Sequence, residues 1–305
     1  MCYNCYMNAY EKNHDIIIEN QADFIPAHIF DCGQCFRFDR EPDGSYTGTA
    51  FGVTTRISVR GNDVILHNTS MGDFKSVWRT YLDLDRDYGE IKRELCRDGD
   101  KVMKEACEYG SGIRILRQEL WETLISFIIS ASNNIPRIKK IIDLLCSNFG
   151  TAHEFEGKIR YSFPTAERIA VLSLDELGVI RAGFRDKYIL QCARNVAEGS
   201  LKLDEIKSLS TSDAKKKLMN IYGVGNKVSD CILLFGLSRF DSYPIDVWIK
   251  RVTEHFWFDD EPQSIRTISD FASQRFGALG GIAQQYLFFL AREKKIGTNQ
   301  EMTSS

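Results

Sequence analysis

The chain has 305 residues, of which 43% are hydrophobic and 11% aromatic, enough apolar material for one large core or two to three small ones. Charged residues make up 27% of the chain but nearly cancel, and the formal net charge of -3 argues against a strongly basic nucleic-acid binder. No stretch approaches the roughly 20 apolar residues of a membrane span, and the first residues lack the layout of a signal peptide. We therefore expect a cytoplasmic protein whose nine cysteines are reduced.

Any contact with nucleic acid would depend on local basic clusters. Three clusters are candidates: Arg114 with Arg117, Arg137 to Lys140, and Lys215 to Lys217. Clusters of this kind are more often solvated helix faces, so composition leaves both interpretations open.

Two CxxC pairs, Cys2 with Cys5 and Cys32 with Cys35, have the ligand types of a tetrahedral zinc site. The 26 residues between the pairs exceed the usual spacing of such sites, and the second pair adjoins Gly33 in a predicted strand or turn. We therefore favour free thiols over zinc. The role of Cys2 and Cys5 stays open.

The apolar pattern changes along the chain. Between Ile16 and Asn68, apolar residues alternate or form short groups broken by turn signals such as Asp43-Gly44 and Gly61-Asn62. This pattern predicts antiparallel strands at Ser45–Ala50, Val53–Arg60 and Asp63–Asn68. From Phe74 onward the spacing is helical, and we expect the remainder to be almost all helices. The predicted fold class is α+β, an N-terminal antiparallel β-sheet domain followed by a mostly helical body.

The segment from Leu218 to Asp246 is the most informative. One helix ends, a Gly223-Val224-Gly225 hairpin follows, and a second helix opens at about Asn226. Glycine permits positive φ, and the exposed amides at the start of a helix form an anion site suited to a DNA phosphate. Such a contact is independent of base sequence. A Gly-x-Gly before a helix is more often a plain tight turn, so both interpretations stay open.

Two ionisable residues of this segment are candidates for chemistry. Lys227 lies in the first helical turn, where the positive dipole and some burial would lower the pKa of its amine and favour a nucleophile. An exposed surface lysine is the plainer alternative. Asp246 precedes an amphipathic run, so its simplest role is to cap that helix. A carboxylate there could also stabilise the positive charge that develops when a glycosidic bond breaks.

Longer motifs carry a resemblance to a known family. The run from Gly223 to Cys231, followed by Pro244-Ile245-Asp246, resembles the helix-hairpin-helix signature of DNA glycosylases, and the chain most resembles the eukaryotic-type 8-oxoguanine DNA glycosylases. Further matches occur at residues 33–38, 132–137, 183–185 and 281–284, with Phe288. The resemblance implies excision of 8-oxoguanine from double-stranded DNA by base flipping, with associated β-elimination at the abasic site.

The resemblance assigns roles in a base pocket. Lys227 would attack the sugar C1′ and form a Schiff base, while Asp246 would assist base departure. The backbone carbonyl of Gly33 would accept the N7 hydrogen that 8-oxoguanine has and guanine lacks. Three further residues would stack on the base or bind its pairing edge: Cys231, Phe288 and Gln284. Without the resemblance, Phe288 is a core residue of an apolar helix.

The same resemblance places other residues on the DNA outside the pocket. Phe184 would be the wedge, while Asn133, Arg137 and Arg185 would fill the gap and read the unpaired cytosine. Without the resemblance, Arg137 and Arg185 are surface residues. Three hairpin residues would bind phosphate through their backbone: Gly223, Gly225 and Val228.

The chain departs from the family pattern at three positions. Ser132 stands where the family usually has an asparagine that contacts the opposite cytosine, so the opposite-base preference is open. Trp248 replaces a histidine that helps to hold a phosphate, and its indole can donate one hydrogen bond or pack instead. Phe184 replaces a tyrosine, and the missing hydroxyl should leave wedging intact.

The resemblance also bears on domains and assembly. We expect a β-rich domain at 1–115, a helical domain at 116–240 with the helix-hairpin-helix at about 213–237, and C-terminal helices at 241–305 that complete the cleft. A structural cation at the hairpin would be held by backbone carbonyls of Met219, Ile221 and Val224, without side-chain ligands. We expect no other cofactor, and a monomer associated with the nucleoid through DNA.

Two other functions stay open on the sequence. One is a glycosylase of the same fold that acts on another damaged base. The other is a non-catalytic DNA-binding module that uses the hairpin only for phosphates, which predicts that Lys227→Gln changes no activity.

Overall fold

The computed structural model describes residues 7–97 and 99–297. Cys2, Cys5 and the tail from Thr298 lie outside the described residues. Within the described part, no helix is long and apolar enough to cross a membrane.

An antiparallel sheet with strand order β1-β2-β6-β5-β4-β3 forms the first part of the fold. Its strands are β1 Ala9–Lys12, β2 Asp15–Ile18, β3 Phe38–Arg40, β4 Tyr46–Ala50, β5 Val53–Arg60 and β6 Asp63–His67. The predicted three-strand meander is confirmed as β4 to β6, with Ile57 of β5 paired to Tyr46 and to Leu66. Gly61 has a φ of 61°, the left-handed conformation that the β5–β6 turn needs. Strands β1 to β3 were not predicted, because three or four residues show too little alternation.

The remainder is mostly helical, as predicted. The α-helices are α1 Pro26–Phe30, α2 Met71–Asp73, α3 Arg79–Tyr81, α4 Tyr88–Leu95, α5 Lys101–Tyr109, α6 Leu120–Ser130, α7 Ile135–Phe149, α8 Ala166–Ala170, α9 Leu174–Leu177, α10 Asp186–Ala197, α11 Leu203–Ser208, α12 Thr211–Met219, α13 Asn226–Cys231, α14 Val247–Trp257, α15 Ile265–Phe276 and α16 Gly280–Lys294. Turns of π-helix occupy Phe74–Trp78 and Ile232–Gly236, and 3-10 turns occupy Gly178–Ile180, Gly183–Arg185 and Gly277–Leu279.

A β-hairpin interrupts the helical body. Its strands are β7 Ala152–Phe155 and β8 Lys158–Tyr161. This hairpin was not predicted from the sequence, although the body around it is mostly helical as expected. Glu156 and Gly157 form the turn with φ values of 48° and 72°, a two-residue turn that matches the twist of paired strands.

Among the described residues, two apolar cores form, one under the sheet and one in the helical body. Cys32 belongs to the helical core and Cys35 to the sheet core, so the two side chains pack in different layers and do not converge on one site.

Arg114 is anchored to the loop between α3 and α4. Its side chain is buried, and its guanidinium donates to the carbonyls of Leu82, Asp83 and Arg86 at 3.2, 2.8 and 2.9 Å. The side chain of Arg117 pairs with Asp83 at 2.7 Å. Arg114 is therefore neither a DNA-binding residue nor part of a solvated helix face, the two interpretations that composition left open, whereas Arg117 is partly exposed and paired with Asp83.

Candidate active site

The hairpin between α12 and α13 has the geometry expected of a backbone anion site. Gly223 adopts a φ of +90°, and a side chain there would approach Tyr188 Cδ2 to 2.7 Å. Gly225 is extended and precedes α13, whose N-terminus has no side-chain cap. No N-cap side chain therefore accepts a hydrogen bond from the backbone amides of this first turn.

An ion pair ties the two hairpin helices together. Lys215 of α12 lies 2.7 Å from Asp230 of α13. Burial raises the pKa of the Asp230 carboxyl, and the hydrogen bond and charge of Lys215 oppose that rise. The neighbouring Lys216 and Lys217 are also paired with carboxylates. This basic cluster is neutralised within the fold rather than presented as a free positive patch.

A small cavity of about 50 Å³ lies beside the hairpin. It brings together six residues that the sequence assigned to a base pocket: Gly33, Lys227, Cys231, Asp246, Gln284 and Phe288. Its walls also include residues that sequence reasoning did not assign to the pocket: Cys32, Phe127, Phe235, Pro244 and Gln285. Sites for small molecules usually measure about 300–1,000 Å³, so lining side chains must move before a base can enter.

Lys227 lies half-buried in the first turn of α13. Its Nζ is 5.3 Å from the ring centre of Phe127, a cation–π distance. Cys231 follows four residues later on the same helix face. Burial raises the pKa of the Cys231 thiol to about 11, and the charge of Lys227 opposes this rise. The thiol is therefore a neutral wall of the pocket at physiological pH.

Asp246 is the N-cap of α14, as predicted. Its Oδ1 accepts the amides of Trp248 and Ile249 at 3.0 and 2.9 Å. Burial raises the pKa of its carboxyl, and the amide of Ile249 and the charge of Lys227 oppose this rise. Because both cap bonds are made by one oxygen, the carboxyl can cap the helix and also present charge to the pocket.

Gln284 has an unmet hydrogen-bonding capacity. The residue is 4% exposed, and its Oε1 has no hydrogen-bond partner among the described residues. A buried acceptor without a partner is costly in a native fold unless a ligand satisfies it. The atom is therefore available to a donor on a bound base.

Two glutamines that sequence reasoning did not assign to the site hold the segment around Gly33. Gln285 donates to the Cys32 carbonyl at 2.8 Å. Gln34 is fully buried, donates to the carbonyl of Arg114 at 2.8 Å and accepts the amide of Leu116 at 2.9 Å. Both glutamines are polar residues within otherwise apolar segments, and this contrast is the sequence feature that could have indicated a structural role for them.

Gly33 faces the stacking residue of the pocket. It has a φ of +82°, and an added Cβ would lie 3.3 Å from Ile135 Cδ1 and 3.5 Å from Phe288 Cε1. Phe288 is half-buried, with the Arg292 guanidinium 5.5 Å from its ring centre. Phe288 therefore lines the cavity instead of being a plain core residue.

The residues assigned to the opposite strand do not line this cavity. Phe184 is 57% exposed, with the Arg185 guanidinium 4.3 Å from its ring centre. Arg185 itself is 3% exposed and donates to the carbonyls of Ala131, Ser132 and Ala182. The interpretation of Arg185 as a surface residue is wrong, because its guanidinium joins two loops beneath the exposed ring.

Arg137 and Asn133 differ in their freedom to contact DNA. Arg137 is exposed, as its surface interpretation predicted. The Asn133 amide donates to the carbonyl of Ile129 at 3.1 Å and accepts the amide of Asn134 at 3.0 Å. Asn133 thus shapes the turn between α6 and α7.

Two departures from the family pattern have visible structural consequences. Ser132 has a φ of +50°, a left-handed conformation that asparagine adopts more readily than serine. The Trp248 ring is half-buried, with the Arg251 guanidinium 5.8 Å from its centre. The indole is therefore packed against a cation.

Comparison with known proteins identifies the family of this chain. Residues 16–124 match the family described as the 8-oxoguanine DNA glycosylase N-terminal domain. The N-glycosylase/DNA lyase of Saccharomyces cerevisiae is 33% identical over 263 residues, which cover 77% of this chain and 69% of the yeast protein. The chain belongs to the 8-oxoguanine DNA glycosylase family.

Solved structures extend the likeness over the whole fold. The 8-oxoguanine glycosylase/lyase of Clostridium acetobutylicum, in complex with double-stranded DNA containing cytosine opposite 8-oxoguanine, is 42% identical with a TM-score of 0.91. The match covers 95% of this chain and 99% of that one. A 3-methyladenine DNA glycosylase from Archaeoglobus fulgidus, 21% identical with a TM-score of 0.70 over 90% of this chain and 94% of its own, shares the fold alone.

Proposed function

We propose that this chain excises 8-oxoguanine from duplex DNA and cleaves the abasic strand, with Lys227 as the nucleophile and Asp246 as its partner. The observation that carries the proposal is the convergence of both residues on a pocket that Gly33, Gln284 and Phe288 also line. These residues are separated by up to 255 positions in the chain, yet they meet at one cavity.

The reaction begins when the damaged nucleotide is flipped out of the duplex, since its glycosidic carbon is unreachable inside the stack. The neutral amine of Lys227 attacks C1′ while the bond from C1′ to the base nitrogen breaks, and the base leaves with that electron pair. The amine, now bonded to C1′, loses one proton to the departing base. The bond from C1′ to the ring oxygen O4′ then breaks, O4′ keeps that electron pair and takes up a proton, and a protonated Schiff base joins Lys227 to the opened sugar. Loss of a C2′ proton then expels the 3′ phosphate by β-elimination. Asp246 stabilises the positive charge that develops on the sugar.

Base recognition is assigned to four residues that line the pocket. The Gly33 carbonyl accepts the N7 hydrogen of 8-oxoguanine and repels the N7 lone pair of guanine. The unpartnered Oε1 of Gln284 accepts a donor from the pairing edge. Cys231 and Phe288 stack on the two faces of the base. The 50 Å³ cavity supports an entry step in which Phe288, the half-buried wall, moves.

The DNA contacts outside the pocket are also proposals. The backbone of Gly223, Gly225 and Val228 binds a phosphate without reading a base. Phe184 inserts as the wedge, and its exposure of 57% supports that role. The remaining contacts with the opposite strand are assigned to the residues that the sequence motifs indicate: Asn133, Arg137 and Arg185. Arg185 has fewer free donors for a base than the exposed Arg137, because carbonyls of the protein already occupy its guanidinium.

A cation at the hairpin, the monomeric state, the nucleoid location and the domain limits stay predictions. The Ile221 carbonyl accepts the Val224 amide at 3.0 Å and keeps a second lone pair, so this oxygen fits a cation site made of backbone carbonyls. A bound cation would brace the hairpin amides against phosphate.

The decisive experiment mixes the protein with a duplex that contains one 8-oxoguanine opposite cytosine and adds borohydride to trap an imine. We expect a covalent adduct with the wild type, and with Lys227→Gln we expect intact lesion binding but no adduct or nicking. Lys104→Gln, at an exposed lysine of α5, is the matched control and should form the adduct normally.

Each other outcome contradicts a defined part of the proposal. Nicking by Lys227→Gln would remove the Schiff-base role of this lysine. Release of a methylated base without release of 8-oxoguanine would support a glycosylase for another lesion. A Lys227→Gln variant with every activity unchanged would support the non-catalytic module.

A further inference from the structure

Three aromatic side chains outside the pocket form a continuous feature, and two of them, Tyr188 and Tyr222, have no role in the mechanism above. Phe184 precedes α10, Tyr188 lies within α10, and Tyr222 lies in the hairpin. The ring centres of Phe184 and Tyr188 are 5.8 Å apart, and those of Tyr188 and Tyr222 are 4.7 Å apart, at interplanar angles of 69° and 86°. We call these three residues the aromatic ridge.

Both ends of the aromatic ridge are open to solvent. Phe184 is 57% exposed and Tyr222 is 55% exposed, while Tyr188 between them is half-buried. Single exposed aromatics are ordinary on protein surfaces, whereas joined ones form a patch that suggests a binding surface. Through these ring contacts, the aromatic ridge joins the loop that carries Phe184 to the hairpin that carries Tyr222.

The fold fixes Tyr222 before any ligand arrives. Gly223 follows it with a φ of +90°, and a Cβ at Gly223 would lie 2.7 Å from Tyr188 Cδ2. The hairpin backbone therefore packs directly on the Tyr188 ring, and the Tyr188 and Tyr222 rings contact each other nearly at right angles. A rigid ring loses little conformational entropy on binding.

The position of Tyr222 identifies its partner. It adjoins the hairpin amides that hold a phosphate in the proposed function, and the other end of the ridge is the proposed wedge. Each nucleotide step advances about 3.4 Å along B-DNA, so ring separations of 5.8 and 4.7 Å extend over a few consecutive nucleotides. Lys187, whose Nζ is 5.4 Å from the Tyr188 ring centre, adds a positive charge.

We propose that Tyr222 is a DNA-contacting residue that packs its ring on the sugar–phosphate backbone beside the phosphate held by the hairpin. Phe184 and Tyr222 then contact the opened duplex at the two ends of the aromatic ridge. This inference rests on the proposed function, since it takes DNA as the ligand. It adds a contact that is made by a side chain and is independent of base sequence.

The test measures dissociation constants for a duplex with a tetrahydrofuran abasic analogue, by fluorescence anisotropy at several salt concentrations. We expect Tyr222→Ala to weaken binding about fivefold, less than the loss from removing a ring that stacks on a base, because the ring packs on the sugar–phosphate backbone. Tyr222→Phe keeps the ring and should bind within about threefold of the wild type. Tyr10→Ala, at a tyrosine 39% exposed on β1, is the matched control and should bind like the wild type.

The salt dependence separates a direct contact from a structural role. Tyrosine carries no charge, so loss of a direct contact leaves the slope of log affinity against log salt unchanged. If Tyr222 only supported the hairpin, its removal would lose the phosphate and reduce the slope by about 0.9, and this result would overturn the proposal. An unchanged dissociation constant in a folded Tyr222→Ala would also overturn it.

Tyr222→Trp provides a second measurement that does not depend on the stability of the alanine variant. Its added fluorescence, relative to the wild type, should be quenched or shifted when the abasic duplex binds. An emission difference that DNA leaves unchanged would contradict the contact. Failure of the proposed function is distinguishable, because the wild type would then form no borohydride adduct.

Discussion

The base pocket and the surface assigned to the opposite strand are built in different ways. In the pocket, Gln284 and Cys231 are 4% and 3% exposed, and the cavity between the walls is only about 50 Å³. On the opposite-strand surface, Phe184 is 57% exposed and Arg137 is also exposed. The pocket residues are buried around a small space, whereas the opposite-strand surface presents the side chains of Phe184 and Arg137 to solvent.

This difference in side-chain burial follows from the function proposed for each region. Groups that stabilise developing charge act best when they are fixed in a site that excludes water. Side chains that enter a duplex gain their packing from the DNA, so they stay exposed without it. Arg185 fits neither description. It is buried beneath the exposed Phe184 ring, and its guanidinium holds together the loops around this ring.

Asp246→Asn should give the largest effect and tests the pocket. We expect single-turnover excision to slow about 100-fold, because asparagine caps a helix as well as aspartate but carries no charge. Burial raises the pKa of Asp246, so the wild-type rate should fall as the pH drops through that raised pKa, and the variant should lack this dependence. Asp87→Asn, at the exposed N-cap of α4, should leave the rate unchanged.

The free energy of unfolding of Asp246→Asn should not fall, although its excision rate does. A folded-state pKa above the unfolded value of about 3.9 means that the folded state binds the proton more tightly. Ionisation of Asp246 therefore lowers the free energy of unfolding as the pH rises through this interval. We expect Asp246→Asn to be as stable as the wild type or slightly more stable at neutral pH in urea unfolding. A loss above about 1 kcal/mol would contradict the assignment, since losing a cap costs about that much.

Gly33→Ala separates backbone strain from pocket shape. Alanine at a φ of +82° costs roughly 1–2 kcal/mol, and the new Cβ lies 3.5 Å from Phe288 Cε1. We expect excision of 8-oxoguanine to slow about tenfold. Gly44→Ala is the matched control, because its φ is +87° and a Cβ there meets nothing within 4 Å. Equal excision rates for the two variants would refute a role for Gly33 in the pocket.

Arg185→Lys tests the exception on the opposite-strand surface. Lysine keeps the charge but cannot donate to the carbonyls of Ala131, Ser132 and Ala182 in the same planar geometry. We expect the free energy of unfolding to fall by about 2 kcal/mol in urea denaturation. Arg266→Lys, at a side chain 92% exposed, should change it by less than about 0.5 kcal/mol. A stable Arg185→Lys would mean that these bonds contribute little.

Ser132→Asn should have the smallest effect on stability. Asparagine tolerates the left-handed φ of +50° better than serine, so we expect a gain of roughly a few tenths of a kcal/mol. Ser238→Asn, at a φ of +54°, should give a similar gain. By the family pattern, only Ser132→Asn should increase the preference for cytosine over adenine opposite the lesion. The same preference in both variants would exclude Ser132 from opposite-base recognition.

Features within one segment were predictable from the sequence. The meander of β4 to β6, the hairpin with α13 opening at Asn226, and the cap at Asp246 follow from alternation, glycine positions and capping chemistry. The family was recognisable because its motifs are themselves short runs of residues. Local conformational preferences act over a few residues, and the sequence displays them directly.

Only the tertiary structure decided which long-range contacts form. The burial of Arg114 and Arg185, the bond from Gln285 to the Cys32 carbonyl and the aromatic contact between Tyr188 and Tyr222 all join distant segments. Charge alone assigned both arginines to the surface, yet buried carbonyls need donors and the packed loops supplied them. Periodicity shows which side of an element is apolar, whereas the identity of the facing element depends on how the whole chain packs.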